Sequence, residues 1–190
     1  MSMRIVTAAA LGAAMMIAVP AGAQQQPAAP AAPTAPAAPA APPNLDAIPE
    51  KMPWNTPYGP SISAERAQAA VAAAAAEASK RGWALNIAVV GPGGGLISFL
   101  RMDGAQLASI AIAEHKARVA ARYRRPTKVF EDAVVKQGLN YILTLDDVIA
   151  SRGGIPLVED GKLIGAIGCS GGTGSQDEAV CMAGAATVNK

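Results

Sequence analysis

The chain has 190 residues, with 16 basic and 14 acidic side chains, a net charge of +2 and a hydrophobic share of 51% that alanine inflates. This balance excludes a strongly basic nucleic-acid binder and an acidic disordered tail. Two cysteines and one histidine exclude a zinc finger, a cysteine-rich secreted knot and a multi-histidine metal site. Because aromatic residues make up only 4% of the chain, the core must be mainly aliphatic.

Residues 1–23 have the pattern of a secretory signal peptide. Arg4 supplies the positive start, Ile5–Val19 is an uncharged apolar run, and the small residues around Ala21 and Ala23 form a cleavage site. The apolar run is shorter than the roughly 20 residues that a membrane-spanning helix needs. The sequence therefore predicts cleavage near Ala23 and a periplasmic or secreted protein.

Residues 24–60 form a proline-rich connection to the folded part. Up to Pro43 the chain repeats Ala-Ala-Pro and Thr-Ala-Pro units, which predicts an extended, polyproline-like tether. This tether is either a spacer or a ligand for a PxxP-type groove. From 44 to 60 larger apolar side chains appear, namely Leu45, Ile48, Met52, Trp54 and Tyr58. We expect this second stretch to lie as an arm across the domain or a neighbouring subunit.

Residues 61–190 are enough for one sizeable core and too few for two, so we predict a single domain. The first helix has Ser63 as its N-cap and continues through an alanine-rich run that Gly82 closes. Two apolar runs at 83–90 and 96–101 follow, separated by a glycine-rich turn, and predict an antiparallel hairpin. A phosphate-binding glycine loop is excluded because the turn leads into a strand.

Two helices are predicted in the middle of the domain, from about 107 to 122 and from 128 to 137, with Pro126 between them. Four arginines surround the end of the first of these helices: Arg118, Arg122, Arg124 and Arg125. They either complement the helix dipole or bind a phosphate or carboxylate ligand. The stretch 140–151 has the weakest signal, and we expect a turn of helix on a crossing loop there.

The last third of the chain predicts a second hairpin and a final helix. Strands are expected at 153–158 and 162–169, joined by a tight Glu-Asp-Gly turn. The glycine loop 170–175 then leads to a helix near Asp177, with Ser175 as its cap. The order helix, hairpin, helices, hairpin, helix predicts an α+β fold with an antiparallel sheet.

Several short motifs follow one another along the domain: Arg101-Met-Asp-Gly-Ala, Lys116-Ala, Pro126-Thr, Gly153-Gly-Ile-Pro, Asp160-Gly, Ile164-Gly-Ala-Ile-Gly, Ser170-Gly-Gly and Gln176-Asp-Glu. With them the chain resembles the GlcG/HbpS-like haem-degrading domain family from about Ser61 to Val188. The resemblance implies a profilin-like or roadblock-like sandwich, in which an antiparallel sheet of about four to five strands is flanked by helices. It also implies assembly into hexamers or octamers.

The chain departs from the family pattern at both cysteines and in the first hairpin. Cys169 stands where Val or Ala is usual, and Cys181 stands where Ala is usual. Export favours oxidation, so these residues form either a disulfide or a pair of small buried hydrophobic side chains. In the first hairpin, Gly91-Pro precedes the two glycines where many members have Asp-x, which removes a carboxylate from that turn.

The resemblance implies a protein that binds haem or a related small molecule, because some members are exported haem-binding proteins. Haem needs an axial ligand and a flat apolar slot. His115 is the only histidine, and it is either the iron ligand or a surface side chain beside Glu114 and Lys116. Other conceivable iron ligands are Met102, Tyr123, Cys181 and Met182.

The glycine loop before the last helix is a second candidate ligand-binding site. Gly171 and Gly172 present backbone N–H groups at the start of a helix, where an anion can bind. Asp177 and Glu178 lie in the first turn and already complement the helix dipole. The loop therefore holds either an external anion or these carboxylates alone.

An enzymatic alternative also stays open. Arg101, Asp103 and Lys116, with the carboxylates of Asp177 and Glu178, would bind a small hydroxy acid or hydroxyketone and move a proton, as an isomerase or lyase does. The plainer interpretation is a structural ion pair between Lys116 and Asp103. A third class is a scaffold or the partner of a membrane sensor, for which the tether and arm would be suited. No nucleic-acid partner is expected.

Overall fold

The computed structural model describes residues 44–189. Their strands form one antiparallel sheet of four members, which are β1 (Asn86–Val90), β2 (Leu96–Arg101), β3 (Gly154–Glu159) and β4 (Lys162–Ser170). The α-helices of this part are α1 (Ala64–Lys80), α2 (Ser109–Arg122), α3 (Lys128–Gln137) and α4 (Gly174–Ala185), and a 3-10 helix covers Asn140–Thr144. The predicted α+β fold is confirmed. The predicted signal peptide and the first part of the tether lie outside the described residues.

The sheet has the order β2-β1-β4-β3, so the two predicted hairpins lie side by side. They join through β1 and β4, which pair antiparallel from Asn86 opposite Ser170 to Val90 opposite Ala166. All five residues of β1 are buried because this strand has a neighbour on each side and helices on both faces. The sheet centre is therefore built from segments at opposite ends of the domain sequence.

Helices cover the sheet on both faces. Ile87 and Val89 face the side of α1 and α4, whereas Ala88 and Val90 face α2, as the two-residue period of a strand requires. The α2 side is lined mainly by alanine and glycine because the helix lies very close to the strands. A Cβ atom added at Gly168 would lie 2.2 Å from the backbone oxygen of Ala113.

Helices α1 and α4 have side-chain caps at their N-terminal ends. Ser63 accepts a hydrogen bond from the backbone N–H of Arg66 at 3.3 Å, as predicted for α1. The predicted cap of α4 was wrong, since Thr173 and Gln176 form a capping box and Ser175 lies inside the first turn. The hydroxyl of Thr173, in extended conformation, receives the N–H of Gln176, so the helix begins at Gly174.

A disulfide joins Cys169 in β4 to Cys181 in α4, with a Cα–Cα distance of 5.6 Å. Both residues are fully buried. This finding decides between the two alternatives that the sequence left open. The bond joins α4 to β4, one of the two inner strands of the sheet. The glycine loop that connects these two elements lies between the bonded cysteines in the chain.

Part of the arm is packed on the domain. Tyr58 forms a parallel bridge with Leu163, where Gly59 N–H donates to the Leu163 oxygen at 2.8 Å and Leu163 N–H donates to the Pro57 oxygen at 2.8 Å. The arm thus continues the sheet beside β4, beyond the last residue of β1 that pairs with it. Among residues 44–189, none of the helices has the length and apolar character needed to cross a bilayer.

Candidate functional site

The imidazole of His115 faces Asp147. Its Nε2 lies 3.0 Å from the Asp147 backbone oxygen and 3.1 Å from the Asp147 Oδ1. Both atoms can only accept, so we assign the ring proton to Nε2, and the lone pair then stays on Nδ1. Histidines that bind metals are usually oriented in this way by a carbonyl or carboxylate on the other nitrogen. His115 is thus a partly buried, oriented side chain.

The Asp147 carboxylate also accepts hydrogen bonds from two arginines on the same face of α2. Arg118 donates through Nε at 2.9 Å to Oδ2 and through Nη2 at 3.0 Å to Oδ1, and Arg122 donates through Nη1 at 3.0 Å to Oδ2. The hydrogen bonds from Arg118 are the main reason why the pKa of the Asp147 carboxyl lies below its ordinary value. Asp147 has a left-handed backbone with φ 58°, which is unusual for a residue other than glycine. The carboxylate remains charged and binds three side chains at once.

An apolar cluster lies beside this polar group, between α2, α3 and the 3-10 helix. Its buried members are Val119, Phe130, Ala133 and Ile142. Val148, the residue after Asp147, packs against the same cluster. The residue that orients His115 is therefore followed in the chain by one that packs against an apolar cluster.

Lys116 is paired with Asp177 and not with Asp103. Lys116 Nζ lies 2.7 Å from Asp177 Oδ2, and the two side chains are only 2% and 3% exposed. The predicted pair between Lys116 and Asp103 was wrong because α2 directs this lysine towards the start of α4, whereas Asp103 lies exposed in the turn after β2. Asp177 Oδ1 also accepts the Gly172 N–H at 3.0 Å. One carboxylate therefore satisfies both the lysine and the glycine loop.

The glycine loop borders a cavity of about 320 Å³. Its lining residues are Trp83, Ala84, Leu85, Gly104, Gly171, Gly172 and Gln176. Glu178 does not line this cavity. Its Oε2 lies 3.6 Å from Arg152 Nη1, and Arg152 also binds Glu131. Glu178 thus helps to connect α4 with α3.

Arg101 and Asp103 line a different depression, of about 440 Å³, together with Ala75, Ser79, Leu100 and Met102. Lys116 does not line this depression and is buried with Asp177. The structure therefore divides the residues of the enzymatic alternative between two places. Arg101 and Asp103 line this depression, whereas Lys116 and Asp177 form a buried pair.

The remaining conceivable iron ligands have varied positions. Met182 is exposed, and Met102 packs against the main core. The Tyr123 hydroxyl donates to the Asp146 oxygen at 2.5 Å. Cys181 is oxidised in the disulfide and so presents no thiolate. Within residues 44–189, no three His, Cys, Asp or Glu side chains gather in a way that could hold a metal ion.

Sequence reasoning missed Asp147 altogether. This residue lies in the stretch 140–151, whose pattern indicated only a crossing loop. Its role follows from the position of that loop over α2, and the sequence has no local signal for it.

The chain is similar in sequence and in fold to known proteins. The family model described as haem degrading protein HbpS-like matches residues 62–186. Protein GlcG of Escherichia coli strain K12 is 41% identical over 109 residues, which are 57% of this chain and 81% of GlcG. The crystal structure of HbpS matches with a TM-score of 0.64 and 28% identity, over 74% of this chain and 99% of HbpS. The crystal structure titled PduOC:Heme complex matches with a TM-score of 0.61 and 26% identity, over 68% of this chain and 96% of PduOC. The chain is therefore a member of the HbpS-like family.

Proposed function

We propose that this protein binds haem, or a related flat small molecule, and that His115 is its axial ligand. The observation that carries this proposal is the orientation of the His115 ring by Asp147, in a domain whose fold is shared with the PduOC:Heme complex. A histidine that donates one nitrogen to a carbonyl or carboxylate keeps the other as a better metal ligand. The chemistry of the donor set thus fits a haem iron.

The residues around His115 have distinct roles in this proposal. Asp147 orients the ring through Nε2 and so leaves Nδ1 as the nitrogen that would bind the iron. Arg118 keeps Asp147 charged, and the partly buried Val148 and Ile149, which follow Asp147 in the chain, supply apolar surface for a flat ring system. When bound, haem supplies a redox-active iron whose potential depends on its axial ligand and on the surrounding polarity.

Titration with haemin tests the proposal. The wild-type protein should shift the Soret band of haemin, and His115→Ala should abolish the shift or move it to the blue. Glu114→Ala is a matched control because it changes the neighbouring, partly buried residue of the same helix and keeps the imidazole. Far-UV circular dichroism should be the same for all three proteins.

Two outcomes would contradict the proposal. If the wild-type protein gives no Soret shift, haem binding itself is wrong. If His115→Ala binds haemin as the wild type does, the assigned axial ligand is wrong, and the ligand lies elsewhere.

We also propose export and cleavage near Ala23, on the basis of the short apolar run and the small residues after it. Intact-mass measurement of protein from the periplasm should give a chain that begins at Gln24. A mass that includes residues 1–23 would contradict cleavage.

Self-assembly into hexamers or octamers is the third part of the proposal. It is supported by exposed apolar side chains on the 3-10 helix and the residue after it, namely Tyr141, Leu143 and Leu145. Such patches commonly mark protein interfaces. Light scattering on the mature chain should give six to eight copies, and a monomer at micromolar concentration would contradict it. A membrane sensor as a further partner is testable by pull-down from membranes.

A further inference from the structure

The C-terminal end of α2 carries more positive charge than its carboxylates neutralise. Arg118 already forms a two-nitrogen contact with Asp147, so Arg122 is a second cation on the same carboxylate. Arg124 donates to the backbone oxygen of Thr56 at 3.2 Å, and Arg125 donates to the backbone oxygen of Tyr123 at 3.0 Å. Within residues 44–189, neither of these last two arginines contacts a carboxylate.

Two aromatic rings of the arm pack against the guanidinium groups of these last two arginines. The Arg124 guanidinium lies 5.3 Å from the centre of the Tyr58 ring, and that of Arg125 lies 5.2 Å from the Trp54 ring. Burial first, and repulsion from Arg124 second, lower the pKa of Arg125. The arginines are thus crowded together and held by rings and carbonyls, which leaves a net positive potential.

A cavity of about 320 Å³ opens beside these arginines. It is lined by Tyr58 from the arm, Pro92 and Gly93 from the turn between β1 and β2, and Arg122. The Tyr58 hydroxyl donates to the Arg122 backbone oxygen at 2.7 Å, which fixes the arm against the helix end. Arg122 uses Nη1 on Asp147 and has further guanidinium N–H groups for another acceptor.

Backbone strain is concentrated around the same place. Four residues other than glycine have a left-handed backbone among those described, and three of them are Trp54 (φ 59°), Arg124 (φ 56°) and Asp147 (φ 58°). Such conformations persist where the surroundings enforce them, and they are frequent at ligand clamps. The arm, the helix end and the loop over α2 are therefore held in a fixed relation.

We propose that Arg122, Tyr58 and the turn at Gly93 form a binding site for a small organic carboxylate. A guanidinium binds a carboxylate through two parallel hydrogen bonds, and the Tyr58 ring and Pro92 supply apolar walls for a carbon skeleton. This site needs no iron and is separate from the axial ligand proposed above. The carboxylate that this site binds belongs either to a free acid or to a propionate group of haem.

Calorimetric titration of the haem-free full chain with succinate, at ionic strength held constant with chloride, tests the site. The wild type should bind succinate in a saturable way and more tightly than inorganic phosphate. Arg122→Gln should weaken binding at least tenfold, and Arg122→Lys should weaken it less because it keeps the charge but loses the planar fork.

Arg66→Gln is the matched control. The Arg66 side chain is 41% exposed and paired with Glu159, whereas that of Arg122 is 47% exposed and paired with Asp147. Binding should be unchanged in this control. The proposal is wrong if succinate does not saturate, if phosphate binds more tightly, if Arg122→Gln binds like the wild type, or if Arg66→Gln loses as much affinity.

Two further titrations separate this site from the proposed haem function. His115→Ala should still bind succinate, and loss of binding in this variant would overturn the independence of the two sites. Competition between succinate and haemin would identify the carboxylates as haem propionates, whereas simultaneous binding would identify a free acid. A failure to bind haemin leaves the succinate result unaffected.

Discussion

Lys116 Nζ and Asp177 Oδ2 lie 2.7 Å apart, and this buried ion pair connects α2 with the first turn of α4. Removing one partner leaves an uncompensated charge in the core. Lys116→Met should therefore lower the free energy of unfolding by about 3–5 kcal/mol, whereas replacing both partners by apolar residues should recover most of this loss. Urea denaturation measures both effects.

Lys136 provides the control for this prediction. Its side chain is 63% exposed and its Nζ lies 2.9 Å from Asp132 Oδ1, so it makes an ion pair in solvent. Lys136→Met should change stability by about 1 kcal/mol or less. Equal losses for the two lysine variants would show that burial of the Lys116 pair has no energetic weight.

Gly168 should not tolerate a side chain. A Cβ atom there would lie 2.2 Å from the Ala113 backbone oxygen and 2.5 Å from the Ala117 nitrogen, so Gly168→Ala should push α2 away from β4. Overpacking of this kind costs about 1–3 kcal/mol, and backbone atoms cannot move aside cheaply. Gly95→Ala is the control because nothing lies within 4 Å of its added Cβ. Equal melting temperatures for the two variants would be incompatible with this packing.

The disulfide between Cys169 and Cys181 closes a loop with a sequence separation of 12. A crosslink over a loop of this size stabilises by about 3 kcal/mol in the chain-entropy account. Reduction should therefore lower the melting temperature by about 6–12 °C. The double variant Cys169→Ala, Cys181→Ala should melt at the same temperature with and without reductant. An unchanged melting temperature of the wild type under reduction would show that the disulfide does not stabilise the fold.

Asp147 should make stability depend on acid pH. Its folded pKa is below the ordinary value because Arg118 hydrogen-bonds the charged form. The stabilisation is therefore fully present above the unfolded pKa of about 4 and is lost as pH falls through the lower folded value. Asp147→Asn should be less stable than the wild type at pH 7, and the difference should shrink below about pH 4. Denaturation at several pH values measures it, and a constant difference would contradict it.

The contribution of Asp132 to stability is also lost as the pH falls. Hydrogen bonds from Lys128 and Lys136 lower its pKa to about 2. Because Asp147→Asn keeps this carboxylate, both proteins share this part of the curve, and only their difference reports on Asp147.

Local signals predicted most of the fold. Helix α3 has the predicted limits 128–137 because Pro126 prevents an earlier continuation and Gly138 ends the helix in a left-handed conformation. Both hairpins were predicted because apolar β-rich runs flank glycine turns. The order of elements then restricted the sheet to an antiparallel arrangement.

The site was less predictable because its contacts join distant parts of the chain. Lys116 and Asp177 are 61 residues apart, and nothing in the sequence distinguishes Asp177 from Asp103 as the partner. The disulfide was undecided because a sequence separation does not give the distance between two Cα atoms. Asp147 has no local pattern, and its three partners are known only once the loop is placed over α2.

The position of β4 at the centre of the sheet has a consequence for synthesis. Its pairing with β1 joins residues about 80 positions apart, so the middle of the sheet cannot close until nearly the whole domain has been made. Until then the first hairpin has an open edge and lacks the cover of α4. A nascent chain of this design stays incompletely folded for longer than one that folds from its beginning, and it depends on protection from aggregation during that interval.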